Sequence, residues 1–110
     1  MPPDDLTRIK HMLEAAEDAL QFITYQSLED FQQDRLRILA VRKCIEIIGE
    51  AAAKIPKETK EQLPDIPWQD IVGMRNILIH VYFDVDPAVL WQTIHNDLPP
   101  LIQILKSYLR

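Results

Sequence analysis

Apolar residues recur every three or four positions in four long stretches of this chain, the spacing of helices that bury one face. The stretches cover residues 5–25, 36–55, 67–82 and 87–109. Only two glycines occur and no Asn-Gly or Asp-Gly pair suggests a hairpin, so strands are not indicated. We therefore predict an all-α fold, an up-and-down bundle of four main helices that forms a single domain over residues 1–110.

Proline and capping residues predict where several helices begin. Ser27 and Asp86 are suitable N-caps, and the helical stretch that follows Ser27 is expected to bend near Asp34. Pro67 and Pro87 suit the first positions of the third and fourth long helices. The Pro99–Pro100 pair lacks two N–H donors, so it is expected to kink or interrupt the fourth helix.

The second long helix is apolar around most of its circumference, which predicts contacts on more than one side. It is therefore the expected centre of the bundle. Gly49 lies inside it at a cost of about 1 kcal/mol relative to alanine. Close approach of a neighbouring helix is the expected reason for this glycine.

The third long helix carries polar groups on a face that is not its core face. With Arg75 at 0° on a helical wheel, Asn76 lies near 100° and His80 near 140°, whereas the core positions lie between roughly 200° and 320°. Those core positions are Ile71, Met74, Ile77, Leu78 and Val81. An apolar strip between the arginine and the histidine is a candidate dimer interface. It consists of Trp68, Val72 and Ile79.

The spacing of Arg75 and His80 favours a site shared by two chains. On one helix they point about 140° apart with a rise of about 7.5 Å between them, so a single chain aims them poorly at one substrate. Two copies of the helix about a twofold axis would let the arginine of one chain face the histidine of the other. We therefore expect a homodimer.

Histidine can transfer protons near neutral pH, and arginine binds phosphate oxygens and stabilises the charge that develops on them. With Asn76 orienting either group, Arg75 and His80 suit transphosphorylation of RNA without a metal. By spacing alone, a simpler interpretation is favoured: His80 complements the helix dipole, and Tyr82 covers the end of the bundle.

Four segments resemble the HepT-like branch of the HEPN superfamily, in order along the chain: SLEDF (27–31), CIEIIGEAA (44–52), GMRNILIHVYFDVD (73–86) and NDLPPLI (96–102). The hallmark is an arginine, four residues, a histidine, one residue and a tyrosine, here Arg75, His80 and Tyr82. The resemblance implies a dimeric helical bundle whose active site lies at the dimer interface. It identifies Arg75 and His80 as catalytic and Asn76 as supporting, in a metal-independent endoribonuclease.

The resemblance also implies a partner and a mode of control. Similar proteins are toxins of type VII-like toxin–antitoxin pairs, with a minimal nucleotidyltransferase as antitoxin. That enzyme uses ATP to add AMP to the tyrosine of the motif, here Tyr82. The adenylate would place a phosphodiester and a bulky base beside Arg75, on nearly the same stripe of the helix, and would exclude RNA.

The net charge of −5 argues against a broad electrostatic contact with nucleic acid. Either a dimer gathers cations from other helices, or the nuclease activity is weak. The candidate cations are Arg35, Arg37, Arg42 and Lys43. The alternative function is a non-catalytic module that binds a nucleotide or a protein partner in the same dimer cleft.

The remaining composition predicts a cytoplasmic protein without cofactor, metal or membrane contact. Cys44 is the only cysteine and lies in an apolar helix, as expected of a small core residue in a reducing compartment. The three histidines show no metal-ligand spacing. No apolar run approaches the ~20 residues that span a bilayer.

Overall fold

A computed structural model describes residues 1–80 and 86–109, with the side chains of 77–80 excepted. Four long helices dominate this part of the chain: α1 (Pro3–Phe22), α3 (Arg35–Lys54), α5 (Trp68–His80) and α6 (Pro87–Tyr108). Two short helices, α2 (Leu28–Gln32) and α4 (Lys57–Gln62), precede and follow α3. The described residues contain no strand, so the predicted all-α class with four main helices is confirmed.

Helix α3 is the centre of the bundle, as its sequence predicted, because it contacts α1, α2, α5 and α6. Its buried face includes Val41, Ile45 and Ile48, none of which exposes more than 2% of its surface. Two apolar residues on the opposite face are not buried: Leu36 is 77% exposed and Leu39 is 44% exposed. The neighbouring helices therefore do not cover the first turns of α3 on all sides.

Side-chain caps begin three helices. The Ser27 hydroxyl accepts a hydrogen bond from the Asp30 N–H at 3.1 Å, and the Asp86 carboxylate accepts one from the Ala88 N–H at 2.9 Å, so both predicted N-caps are confirmed. The Asp34 carboxylate accepts from the Arg37 N–H at 3.0 Å. The bend expected after Ser27 is thus a break between two helices, α2 and α3.

The prolines behave differently from the prediction at two places. Pro67 lies one residue before α5, where its carbonyl accepts from the Ile71 N–H at 3.1 Å, rather than at the first helical position. Helix α6 continues through Pro99 and Pro100, so the expected interruption is wrong. Both prolines lack the N–H that would bond to the carbonyl four residues earlier. Because this part of the helix surface is exposed, water can bond to those carbonyls instead. A kink there stays a prediction.

The main core lies between α1, α3 and α6. Its fully buried side chains include Ile9, Met12, Ile48, Ile94, Leu98 and Leu105. Cys44 is also buried, and this burial, followed by the negative charge of Asp18, raises the pKa of its thiol from 9.0 to about 11. In the described part of the chain, no helix combines the length and the apolar character that crossing a membrane requires.

A carboxylate at one end of α1 and a guanidinium at the other connect this helix to its neighbours. Asp5, only 2% exposed, accepts a hydrogen bond from the Thr59 hydroxyl of α4 at 2.6 Å and an ion pair from Arg8 at 3.0 Å. At the other end, Arg37 of α3 binds Asp34 at 2.6 Å and donates to the Phe22 carbonyl at 2.9 Å. Polar contacts within the chain therefore join the first turn of α1 to α4 and its last turn to the start of α3.

Candidate active site on helix α5

Arg75 packs directly on Gly49, where α5 crosses α3. A Cβ atom added to Gly49 would lie 2.7 Å from the Cβ of Arg75 and 3.0 Å from its Cγ and Cδ atoms. The expected close approach at this glycine is confirmed, and the approaching residue is the arginine of the motif. The aliphatic part of Arg75 thus lies where any other residue at position 49 would place its side chain.

Arg75 is partly buried, yet its guanidinium forms no ion pair or hydrogen bond with the residues that the structure describes. Two other arginines differ in this respect: Arg8 binds the Asp5 carboxylate and Arg37 binds the Asp34 carboxylate. Because a guanidinium offers five donors, an arginine held at its stem and uncommitted at its head suits an anionic ligand.

The described part of α5 confirms two of the five expected core positions. Ile71 is 1% exposed and Met74 packs partly buried against the core, as the wheel predicted. Asn76 is exposed on the opposite side. The side chains of the other expected core positions lie outside the described residues.

The structure positions the backbone of His80 as the last residue of α5 but does not describe its side chain. Tyr82 lies outside the described residues altogether. The Arg75–His80 geometry and the position of the tyrosine are therefore still predictions. What the structure brings together is Arg75, its glycine neighbour on α3 and Asn76 one position further along α5.

The predicted dimer-interface strip divides into one exposed residue and one bound within its own chain. Val72 is 41% exposed. Trp68 is partly buried, its indole N–H donates to the Leu63 carbonyl at 3.1 Å, and the Lys60 ammonium lies 5.4 Å from the centre of its ring. The side chain of Ile79 is not described. Of the two described members, Val72 is thus the one whose side chain is exposed to a second chain.

The described residues include no group of three or more His, Cys, Asp or Glu side chains that could hold a metal ion. His95 is occupied locally: its Nδ1 lies 2.8 Å from the Trp91 carbonyl and its ring packs on that indole. His11 lines a groove of about 330 Å³ between α1 and α3. Neither histidine lies on α5.

The sequence indicates a close helix contact at Gly49, but it does not indicate which residue makes that contact. The partner follows only when the register of α3 against α5 is known. Arg42 is one of the four cations considered above as possible RNA contacts, and it differs from the other three in the burial of its guanidinium. Its Nε atom is buried and has no hydrogen-bond partner among the described residues.

The chain is similar in sequence to a family of known proteins. The family model "Ribonuclease HepT-like" matches residues 12–108. "Probable ribonuclease HepT" of Thermococcus cleftensis is 42% identical over 93 residues, which cover 84% of each chain. "Putative RNase TTE0752" of Caldanaerobacter subterraneus subsp. tengcongensis is 37% identical over 102 residues, covering 93% of this chain and 91% of the relative. No solved structure gives a significant match.

The described fold is helical, and the family and the relatives that match are named as ribonucleases. The chain belongs to the HepT-like ribonuclease family, and the resemblance inferred from its four segments is confirmed.

Proposed function

We propose that this protein is a metal-independent endoribonuclease that acts as the toxin of a toxin–antitoxin pair. The observation that carries the proposal is the state of Arg75: it is fixed by its contact with Gly49 and is uncommitted among the described residues. Membership in the HepT-like family supports the same activity, because the match includes the whole Arg75-to-Tyr82 motif.

The proposed reaction is an internal transphosphorylation of RNA. The ribose 2′-oxygen attacks the neighbouring phosphorus, and the bond from phosphorus to the 5′-oxygen breaks. His80 accepts the proton of the 2′-hydroxyl or donates one to the leaving oxygen. Arg75 binds the non-bridging oxygens, where charge builds up in the transition state, and Asn76 orients either group. The products carry a 2′,3′-cyclic phosphate and a 5′-hydroxyl.

The site is proposed to form between two copies of the chain. On a regular helix, Arg75 and His80 diverge by about 140°, so the arginine of one copy and the histidine of the other can converge more readily than the pair on one copy. The exposed Val72 supports this arrangement, since it offers apolar area on the strip between the two residues.

Control is proposed to act at Tyr82 through a partner nucleotidyltransferase. The tyrosine oxygen attacks the α-phosphorus of ATP, pyrophosphate leaves, and an O-AMP-tyrosine forms. The new phosphodiester would compete with RNA for Arg75, because both present the same anionic oxygens to the guanidinium.

Cleavage of RNA by the purified protein in the presence of a chelator tests the activity. We expect wild-type protein to produce 2′,3′-cyclic phosphate ends, and Arg75→Ala and His80→Ala to reduce the rate at least 100-fold. His95→Ala is the matched control, because that ring contacts a carbonyl on α6. Equal residual cleavage in all four proteins would indicate contamination and would reject the proposal.

Mixing the two inactive variants tests the shared site. If each site takes its arginine from one copy and its histidine from the other, a mixed dimer of Arg75→Ala and His80→Ala rebuilds one intact site. Activity should then return after the two proteins are unfolded and refolded together. A mixture that stays inactive while mixed dimers are present would show that each site lies within one chain.

Mass measurement tests the modification. After incubation with a nucleotidyltransferase partner and ATP, the wild-type chain should gain the mass of one or more adenylyl groups and lose its cleavage activity. Tyr82→Phe should gain none, whereas Tyr25→Phe, which alters a fully exposed tyrosine, should behave as wild type. A gain of mass that survives Tyr82→Phe would remove this residue from the proposed role.

A further inference from the structure

Arg42 lies on the face of α3 that receives α5. It precedes Gly49 by seven residues, so it is nearly aligned with that glycine on the helix and about 10.5 Å nearer the N-terminus of α3. Gly49 contacts Arg75 of α5. The same stripe of α3 therefore carries first the contact with Arg75 and then, two turns away, a second arginine.

Contacts elsewhere fix the direction in which α5 runs along this stripe. The start of α6 lies beside α2, immediately before α3, because the Trp91 and Phe31 rings are 5.5 Å apart. Only five residues join His80 to Asp86, which can span about 20 Å at most. Since α3 is about 30 Å long, the His80 end of α5 must point toward the N-terminal part of α3.

Arg42 and His80 are consequently at nearly the same level of the bundle. His80 lies about 7.5 Å beyond Arg75 along α5, and Arg42 lies about 10.5 Å beyond Gly49 along α3 in the same direction. The difference of about 3 Å is well within the reach of an arginine side chain. Arg42 thus lies near the level of the His80 backbone and about two turns of α3 from the contact with Arg75.

Arg42 has a buried hydrogen-bond donor that no described residue satisfies. The residue is partly buried, and its Nε atom is buried without a hydrogen-bond partner in the described part of the chain. A buried donor left unpaired costs stability, and Arg8 and Arg37 avoid this cost by binding carboxylates. A ligand that supplies an oxygen to Arg42 would recover the lost hydrogen bond.

We propose that Arg42 binds a backbone phosphate of the RNA next to the one that is cleaved. The separation of about 10.5 Å between the two levels allows the two guanidinium groups to reach consecutive phosphates, because each can extend toward the other. Arg42 is then a positioning residue and not a catalytic one. This inference rests on the proposed ribonuclease function, and it supplies a second cation in an acidic protein.

Binding of a 2′-O-methyl RNA, which cannot undergo transphosphorylation, tests the inference in the full-length protein. Arg42→Met removes the charge and retains an unbranched apolar stem. We expect this variant to raise the Kd at least 10-fold and to reduce the slope of log Kd against log salt concentration by about 0.7, the value for one phosphate contact on a single strand. Arg42→Lys should restore the slope and part of the affinity.

Lys106→Met is the matched control, since it removes one charge from an exposed side chain on α6. A Kd and a salt slope for Arg42→Met equal to those of wild type, or equal to those of Lys106→Met, would overturn the inference. A fall in Tm with unchanged RNA affinity would assign Arg42 a structural role instead. RNA binding that depends on Arg42 in a protein that cleaves nothing would reject the ribonuclease and retain the phosphate contact.

Discussion

The polar groups around α1 and those between α3 and α5 differ in how they are satisfied. Around α1, Asp5 binds Thr59 of α4 and Arg8 of its own helix, and Arg37 of α3 binds Asp34 and a carbonyl of α1. Toward α5, Arg75 and the Nε atom of Arg42 have no such partners among the described residues. The polar groups around α1 are thus bonded within the chain, whereas the two arginines between α3 and α5 could bind a ligand.

We interpret the bonded region around α1 as structural and the region between α3 and α5 as part of the proposed site. A buried polar group that is bonded within the chain contributes to stability, and its loss should affect folding before activity. A cation without a partner in the chain contributes little to the free energy of unfolding, and its main effect is on the affinity for an anionic ligand. Variants in the two regions should therefore separate the free energy of unfolding from the cleavage of RNA.

The largest expected effect on stability is at Asp5. Asp5→Ala leaves the Thr59 hydroxyl buried without its acceptor and removes the partner of Arg8. We expect the free energy of unfolding to fall by about 2–3 kcal/mol, measured by urea denaturation. RNA cleavage by the folded fraction should not change.

Asp4→Ala provides the control, because Asp4 precedes Asp5 in the same first turn but is exposed. Its loss should cost no more than about 0.5 kcal/mol. Equal costs for the two variants would show that the α1–α4 contact contributes nothing beyond the helix dipole.

The next effect is at Gly49, where the two properties should change together. The new methyl group of Gly49→Ala would lie 2.7 Å from the Cβ of Arg75, so α5 must move away. We expect a net loss of about 1–2 kcal/mol in stability, because strain outweighs the better helix propensity of alanine. Cleavage should fall at least 10-fold, since displacement of Arg75 misaligns the group that contacts the phosphate.

Gly73→Ala is the matched variant on α5. An added Cβ there meets no atom of the described residues within 4 Å, so the substitution should stabilise the helix by about 0.5–1 kcal/mol without lowering activity. If both glycine variants behaved alike, the close contact between α3 and α5 would not explain Gly49.

A smaller effect should appear at Asp34 and should depend on pH. The Arg37 N–H and then its guanidinium hold the pKa of this carboxyl below 3.8, so the charged form stabilises the folded state. That contribution is complete well above pH 3.8 and is lost as the pH falls through the lowered pKa. The difference in Tm between wild type and Asp34→Asn should therefore shrink on acidification.

Asp30→Asn serves as the comparison, because its exposed carboxylate does not cap α3. A Tm difference between wild type and Asp34→Asn that is independent of pH from 7 to 2 would mean that the charge of Asp34 does not contribute.

The smallest effect concerns Cys44, whose thiol has a pKa of about 11. In the folded protein at pH 8 this thiol should react with a disulfide reagent only as fast as the chain opens. Above pH 9.0 the unfolded thiol ionises while the folded one does not, so wild-type stability should decline toward pH 11. Cys44→Ala should lack this part of the decline, and rapid labelling at pH 8 would contradict the burial of the residue.

Local signals in the sequence were sufficient for most of the fold. The caps at Ser27 and Asp86 and the spacing of apolar residues depend on neighbours within a turn or two, so one sequence is enough to identify them. The glycine at position 49 carried longer-range information, because its cost within a helix required a compensating contact.

Contacts between distant segments could not be derived in the same way. Asp5 and Thr59 are 54 positions apart, and neither position in the sequence indicates a buried pair. The exposed Leu36 was also unpredictable, because composition does not show where neighbouring helices end. For the candidate site, the sequence identified Arg75 but not the helix on which it packs, which only the register of α3 against α5 decides.

The contact between Gly49 and Arg75 has a consequence for building chimeric proteins. The arginine of the motif occupies a space that a residue 26 positions earlier leaves empty. A graft that transfers the motif of α5 into another helical bundle would therefore need to bring a glycine on the recipient's facing helix as well. The unit that can be moved between proteins is the pair of helices, and the eight letters of the motif are only half of it.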